Sequence, residues 1–165
     1  MIKQLKAFRA SAFLLLGLVV CSCNNHSEMK QLIRHHFNAL NRHDVNEILH
    51  DYDIKVQSTS PSWEGIKNGV AAQKASYSGS FRSMPNLRYD VGNIYYSGDS
   101  LATVEYTTSG TLTNPDAGTP EYMQGKKFLI NNCVIIKMKD GKIVKEDLYF
   151  DQISFLKQMG FFDQP

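Results

Sequence analysis

Lys142-Ile143-Val144-Lys145-Glu146-Asp147-Leu148-Tyr149-Phe150-Asp151-Gln152 is the stretch that decides how this chain folds. It follows a turn at Lys139-Asp140-Gly141 and precedes a short apolar-periodic segment that ends at Gly160. Strand side chains alternate between two faces, so Asp147, Tyr149 and Asp151 share one face and Glu146, Leu148 and Phe150 the other. Two carboxylates and a phenol are costly in a dry core and make sense lining a pocket. The reading therefore sets Asp147, Tyr149 and Asp151 on a cavity wall. Neighbours on that face stand ~6.5–7 Å apart, so a proton relay among them needs leaning side chains or water.

Upstream, the chain is strand-rich. Leu87 to Tyr96, Leu101 to Thr111 and Phe128 to Met138 read as strands, joined by turn signals at Ser97-Gly98-Asp99 and Asp140-Gly141 and by a long loop over Asn114 to Pro120. The N-terminal half reads as helices. Met29, Leu32, Ile33, Phe37 and Leu40 recur at helical spacing, with Ser27 as the expected N-cap. Asn41-Arg42-His43-Asp44 breaks that pattern, and Asp44 caps a second short helix over Val45 to Asp51. Ile54 to Ser58 reads as a brief strand and Gly65 to about Tyr77 as a third helix. Ile153, Phe155, Leu156 and Met159 form a short last helix, whose N-cap Asp151 would be if it does not serve a pocket. Helices first and an antiparallel meander after predict an α+β domain, its helices across a curved sheet around a conical cavity.

The first residues lie apart from this domain. Lys3, Lys6 and Arg9 precede an apolar run from Ala12 to Val20, too short to span a bilayer comfortably. Val20-Cys21-Ser22-Cys23 resembles a bacterial lipobox, which implies a signal peptide over 1–22 and a lipid anchor on Cys23. The alternatives are an ordinary secretory signal cut near Ser22 or an uncleaved anchor. Residues 23–26 then form a tether and 27–165 the domain, held at a membrane of the cell envelope and facing the periplasm or the cell exterior. The formal charge of +2 includes three leader cations; without them 15 basic side chains face 16 acidic ones. No basic patch remains, so nucleic acid is not an expected partner. Of the three cysteines only Cys133 stays free, so the core must hold the fold without a disulfide.

Candidate ligand groups are few. His35, His36, His43 and His50 lack a metal-ligand spacing, and adjacent helical residues point about 100° apart, so no metal site is expected. Trp63, Tyr52, Tyr106 and Met123 are candidate lining residues of an apolar pocket. Asn131 and Asn132 interrupt an apolar strand. One faces each side, and the inward one needs a partner. There is no Gly-rich phosphate loop, nucleophile elbow or Cys-x-x-Cys, and no cofactor is expected.

Several short motifs together resemble one family. Phe37-x-Ala39-Leu40-Asn41-x-x-Asp44, Met84-Pro85-Asn86-Leu87-Arg88, Thr108-Ser109-Gly110-Thr111, Met123-x-Gly125-Lys126-Lys127 and Asp140-Gly141-Lys142-Ile143-Val144-x-Glu146 occur in order, followed by Tyr149-x-Asp151-Gln152 and Gln158-x-Gly160. The series is similar to the SnoaL-like polyketide cyclases of the nuclear transport factor 2-like superfamily and covers about Ser27 to Gly160. The resemblance implies a cone-shaped α+β fold, a pocket flanked by Tyr52 and Trp63, and a dimer through the outer sheet face. It also implies that Asp151 is the general acid/base. The assisting histidine or acid on the preceding strand falls at Val134, which cannot move a proton, and Asn132 is the nearest polar substitute on that face.

The functional expectation is an exported, lipid-anchored protein that binds a small, largely apolar molecule, with Asp-based cyclase- or isomerase-like proton transfer. The other class is a non-catalytic interaction module docking another envelope protein. A fold that hosts enzymes and binding modules alike does not choose between them.

Overall fold

The computed structural model describes residues 22–163, with side chains from residue 27 onward. The expected leader and the thiol of Cys23 lie outside that description. The first helix, α1, spans Ser22–Arg42, so residues 23–26 lie in the helix instead of forming a tether, and Ser27 is not its N-cap. Met29, Ile33, Phe37 and Leu40 are buried along its inner face. The helix ends in a Schellman turn: His43 N–H bonds Leu40 O at 3.0 Å and Asp44 N–H bonds Ala39 O at 3.1 Å. His43 takes the left-handed conformation there, φ 55°, which is unusual outside glycine. Its ring is held by Leu87 O at 2.8 Å and stacks on Phe81 at 4.2 Å. Asp44 then caps α2, Val45–His50, by accepting from Glu47 N–H at 3.1 Å, as its side chain suits.

Among the described residues six strands form one sheet: β1 (Tyr52–Thr59), β2 (Lys67–Asn68), β3 (Arg88–Ser97), β4 (Leu101–Thr111), β5 (Lys127–Lys139) and β6 (Lys142–Phe150). Their order is β2-β1-β6-β5-β4-β3. β3 to β6 make the expected antiparallel meander, whereas β1 lies parallel to β6. The third helix, α3, runs Gly69–Ser83, later than its apolar residues suggest, because Lys67 and Asn68 pair with Ser58 and Gln57 of β1. The last helix, α4, covers Gln152–Gln158. Asp140 and Gly141 make the turn from β5 to β6 with φ 51° and 71°, the conformation that Asp-Gly accepts at least cost.

One irregularity decides which side chains meet the interior. Lys137 pairs with Lys145, but Met138 pairs with Ile143, so Val144 is an extra residue in β6. Such a bulge reverses the alternation beyond it. Ile143 is buried before the bulge; after it, Glu146, Leu148 and Phe150 face inward. The expectation that Asp147, Tyr149 and Asp151 line the cavity is therefore corrected: Tyr149 is 54% exposed on the outer face. Burying Leu148 and Phe150, worth roughly 1.5–3 kcal/mol each when complete, outweighs admitting a single carboxylate with them. Opposite them on β5 stand Asn132, Val134 and Ile136, paired with Phe150, Leu148 and Glu146. The main core lies between this face and α1, with Ile48, Val56, Val104 and Ile143 all essentially inaccessible.

Candidate functional site

Between the helices and the inner sheet face lies a cavity of about 330 Å³. Its wall is mostly apolar, with Phe37, Leu40, Tyr106, Phe128, Leu148 and Phe155 among the lining residues. Val134 and Trp63 line it, as expected. Asn132 is the inward member of its asparagine pair and donates to Thr108 Oγ1 at 2.9 Å and to Ile130 O at 3.1 Å. Tyr52 stands behind the wall, and its hydroxyl reaches two lining residues, Tyr77 and Glu146. Met123 is not a lining residue; it packs with the separate cluster of Leu87, Leu112, Phe128 and Met159.

The polar centre of the cavity is Glu146, 12% exposed, beside the fully buried His36. His36 Nε2 lies 3.8 Å from Glu146 Oε1, within ion-pair range and beyond a direct hydrogen bond. Tyr52 Oη donates to Glu146 Oε2 at 2.5 Å. Having spent its proton there, Tyr52 accepts from Tyr77 Oη at 2.7 Å. His36 Nδ1 meets Asp51 Oδ2 at 3.1 Å. A carboxylate only accepts, so Nδ1 carries a proton, and Nε2 is the ring atom that faces Glu146. Asp51, 3% exposed, also binds Nδ1 of His35 at 2.9 and 3.0 Å. His35 Nε2 in turn contacts Glu47 Oε2 at 3.2 Å near the surface. One buried carboxylate thus fixes two adjacent histidines, one turned inward and one outward.

Burial raises the Glu146 carboxyl above the ordinary glutamate value, against the lowering effects of His36 and the Tyr52 hydrogen bond. Burial, reinforced by the charge of Glu146, holds the Tyr52 and Tyr77 phenols well above their usual range, so both remain donors. A carboxyl whose pKa is raised by burial, set in an apolar cavity, holds a proton more readily than an exposed one and is a candidate acid/base.

Asp151 has a different task. It caps α4, accepting from Ser154 N–H at 3.0 Å and Ser154 Oγ at 2.6 Å, and these bonds lower its pKa. It lies outside the cavity lining. Asp147 accepts from Thr59 Oγ1 and Lys145 Nζ, both at 2.7 Å. Burial works to raise its pKa, but these two partners together lower it. No group of three or more His, Cys, Asp or Glu side chains among the described residues has an arrangement that could hold a metal ion, and no helix there is long and apolar enough to cross a membrane.

Sequence reasoning missed His36 and Glu146, although both left a signal. His36 sits within the apolar stripe Met29, Ile33, Leu40 of α1, where an unpaired imidazole would be costly. Glu146 alternates with Leu148 and Phe150, and that apolar company marks an inward face.

The sequence pattern of the SnoaL-like polyketide cyclase family matches residues 30–159. No curated protein matches the chain. Among solved structures, a candidate polyketide cyclase from Xanthomonas campestris pv. campestris superposes with a TM-score of 0.70 at 20% identity, covering 82% of this chain and 98% of its own. A candidate SnoaL-like polyketide cyclase from Jannaschia sp. CCS1 gives 0.71 at 15% identity, with 81% and 92% covered. SalBIII, an epoxide hydrolase/cyclase-like enzyme with a role in pyran ring formation in the polyether salinomycin, gives 0.66 at 16% identity, with 78% and 95% covered.

Proposed function

This chain belongs to the SnoaL-like polyketide cyclase family, and we propose that its cavity binds a small, largely apolar molecule and exchanges a proton with it through Glu146. The observation that carries this reading is the placement of Glu146 in the apolar wall, with His36 beside it and Tyr52 bonded to it. In its neutral form Glu146 donates a proton to a ligand oxygen; as the anion it removes one from a ligand carbon or hydroxyl. His36, oriented by Asp51, takes or returns that proton. Ring closure, ring opening and isomerisation all need these two steps. Asp151 takes no part.

The leader pattern supports export, with Cys23 lipidated and the domain held at an envelope membrane. A second reading, docking of a second copy or of another envelope protein, draws on the outer sheet face. There Leu129 is 62% exposed and Tyr149 stands on the same side.

The test begins with native mass spectrometry of gently extracted protein, which identifies the retained molecule. In deuterated water the wild type then incorporates deuterium into that molecule and Glu146→Gln does not. Equal incorporation by both removes Glu146 from the chemistry.

A further inference from the structure

β1 ends at Thr59, and the loop after it carries Trp63, the only tryptophan of the chain, to the cavity wall. The loop is anchored at both ends of this residue. Trp63 N–H closes a turn on Ser60 O at 3.3 Å, and Lys67 Nζ sits 4.0 Å above the indole ring. The indole Nε1–H is different. It is buried and has no hydrogen-bond partner among the described residues. An indole N–H only donates, so no other arrangement of protons satisfies it. Most buried polar atoms find a partner, and an exception calls for a reason.

Several polar groups of the wall are engaged with one another. Asn132 donates to Thr108, Gln73 donates to Ser58 Oγ at 2.7 Å, and Tyr77 is bonded to Tyr52. Among the buried side-chain nitrogen and oxygen atoms of the described residues, Trp63 Nε1 is the one without a partner. We propose that Trp63 Nε1–H is the cavity's recognition donor for an oxygen acceptor, a carbonyl or ether oxygen, on an otherwise apolar ligand. The inference rests on the cavity being a ligand site, as proposed above, and is independent of proton transfer at Glu146.

The N–H is enclosed, so meeting the ligand oxygen requires the 60–66 loop to shift. The donor left unmade in the free protein then gains its bond on binding, which selects oxygenated ligands over hydrocarbons of the same shape.

α-Tetralone and tetralin test this, since they share a bicyclic frame and differ by one carbonyl oxygen. The single tryptophan gives a single indole cross-peak in a ¹H–¹⁵N spectrum. α-Tetralone is expected to shift that peak downfield, and tetralin is not. By calorimetry α-tetralone binds the wild type about tenfold more tightly than Trp63→Phe, the scale of one hydrogen bond, while tetralin does not distinguish them. Binding of α-tetralone to both proteins alike, with no downfield shift, overturns the recognition role and leaves the cavity reading standing. Failure of both probes to bind the wild type overturns the role together with the cavity reading.

Discussion

Glu146 and His36 face each other at 3.8 Å, one from the last strand and the other from the first helix, and Asp51 holds the far side of the imidazole at 3.1 Å. The arrangement joins the first helix to the last strand through a buried imidazole set between two carboxylates. Removing one partner of a buried pair leaves the other uncompensated, so each substitution here has a defined sign.

Glu146→Gln keeps an acceptor for Tyr52 and removes the exchangeable proton. Turnover of the natural ligand is expected to fall by ~10²–10⁴, with affinity little changed. Stability responds in the opposite direction. Because the folded-state pKa of Glu146 is raised, its contribution is fully present below the unfolded value of 4.5 and is lost as pH rises through the folded value. Urea denaturation across that window should show the loss in the wild type and not in Glu146→Gln.

Asp51→Asn removes the carboxylate shared by the two histidines. The Asp51 hydrogen bond is the largest cause of the raised pKa of His35, so the His35 titration should fall toward 6.5 in the variant. With a raised folded pKa, the His35 contribution is present below pH 6.5 and lost as pH climbs through the folded value. Imidazole ¹H NMR titration of both proteins measures the shift, and an unchanged His35 midpoint would exclude the bridge.

Asp151→Ala removes the cap of α4 and nothing from the cavity. Ligand affinity and turnover are expected to stay within about threefold, while the melting temperature drops by a few degrees. Loss of turnover with an unchanged melting temperature would return Asp151 to the chemistry.

Cys23→Ala is expected to abolish membrane partitioning and lipid labelling, whereas Cys21→Ala preserves both. Fractionation of cells expressing each variant measures this. Unchanged partitioning of Cys23→Ala would rule out the lipid anchor.

Much of the fold is legible in the residues. The spacing of Met29, Ile33, Phe37 and Leu40, the break at His43-Asp44 and the Asp140-Gly141 turn each specify a local structure that packing preserves. The requirement that Asn131 and Asn132 divide between faces also holds, with Asn132 inside. The site was less legible for two physical reasons. The reading of β6 gave the inward face to its carboxylates and phenol, whereas burial of Leu148 and Phe150 decides it, and no local residue type announces the bulge at Val144 that brings them into phase with Ile143. The His36–Glu146 approach is a tertiary contact between distant segments, which periodicity within either one does not contain. What each segment does carry is a polar residue on an apolar face, His36 among Ile33 and Leu40, and Glu146 with Leu148 and Phe150.

Glu146, its carboxyl pKa raised by burial, is the proposed proton carrier of the cavity. A ¹³C NMR titration of its side-chain carboxyl, assigned by its loss in Glu146→Gln, tests this most directly. The expected midpoint lies above 4.5 in the wild type. It rises further in Tyr52→Phe, because the Tyr52 hydrogen bond favours the anion. A wild-type midpoint at or below 4.5, unmoved by Tyr52→Phe, would contradict the account.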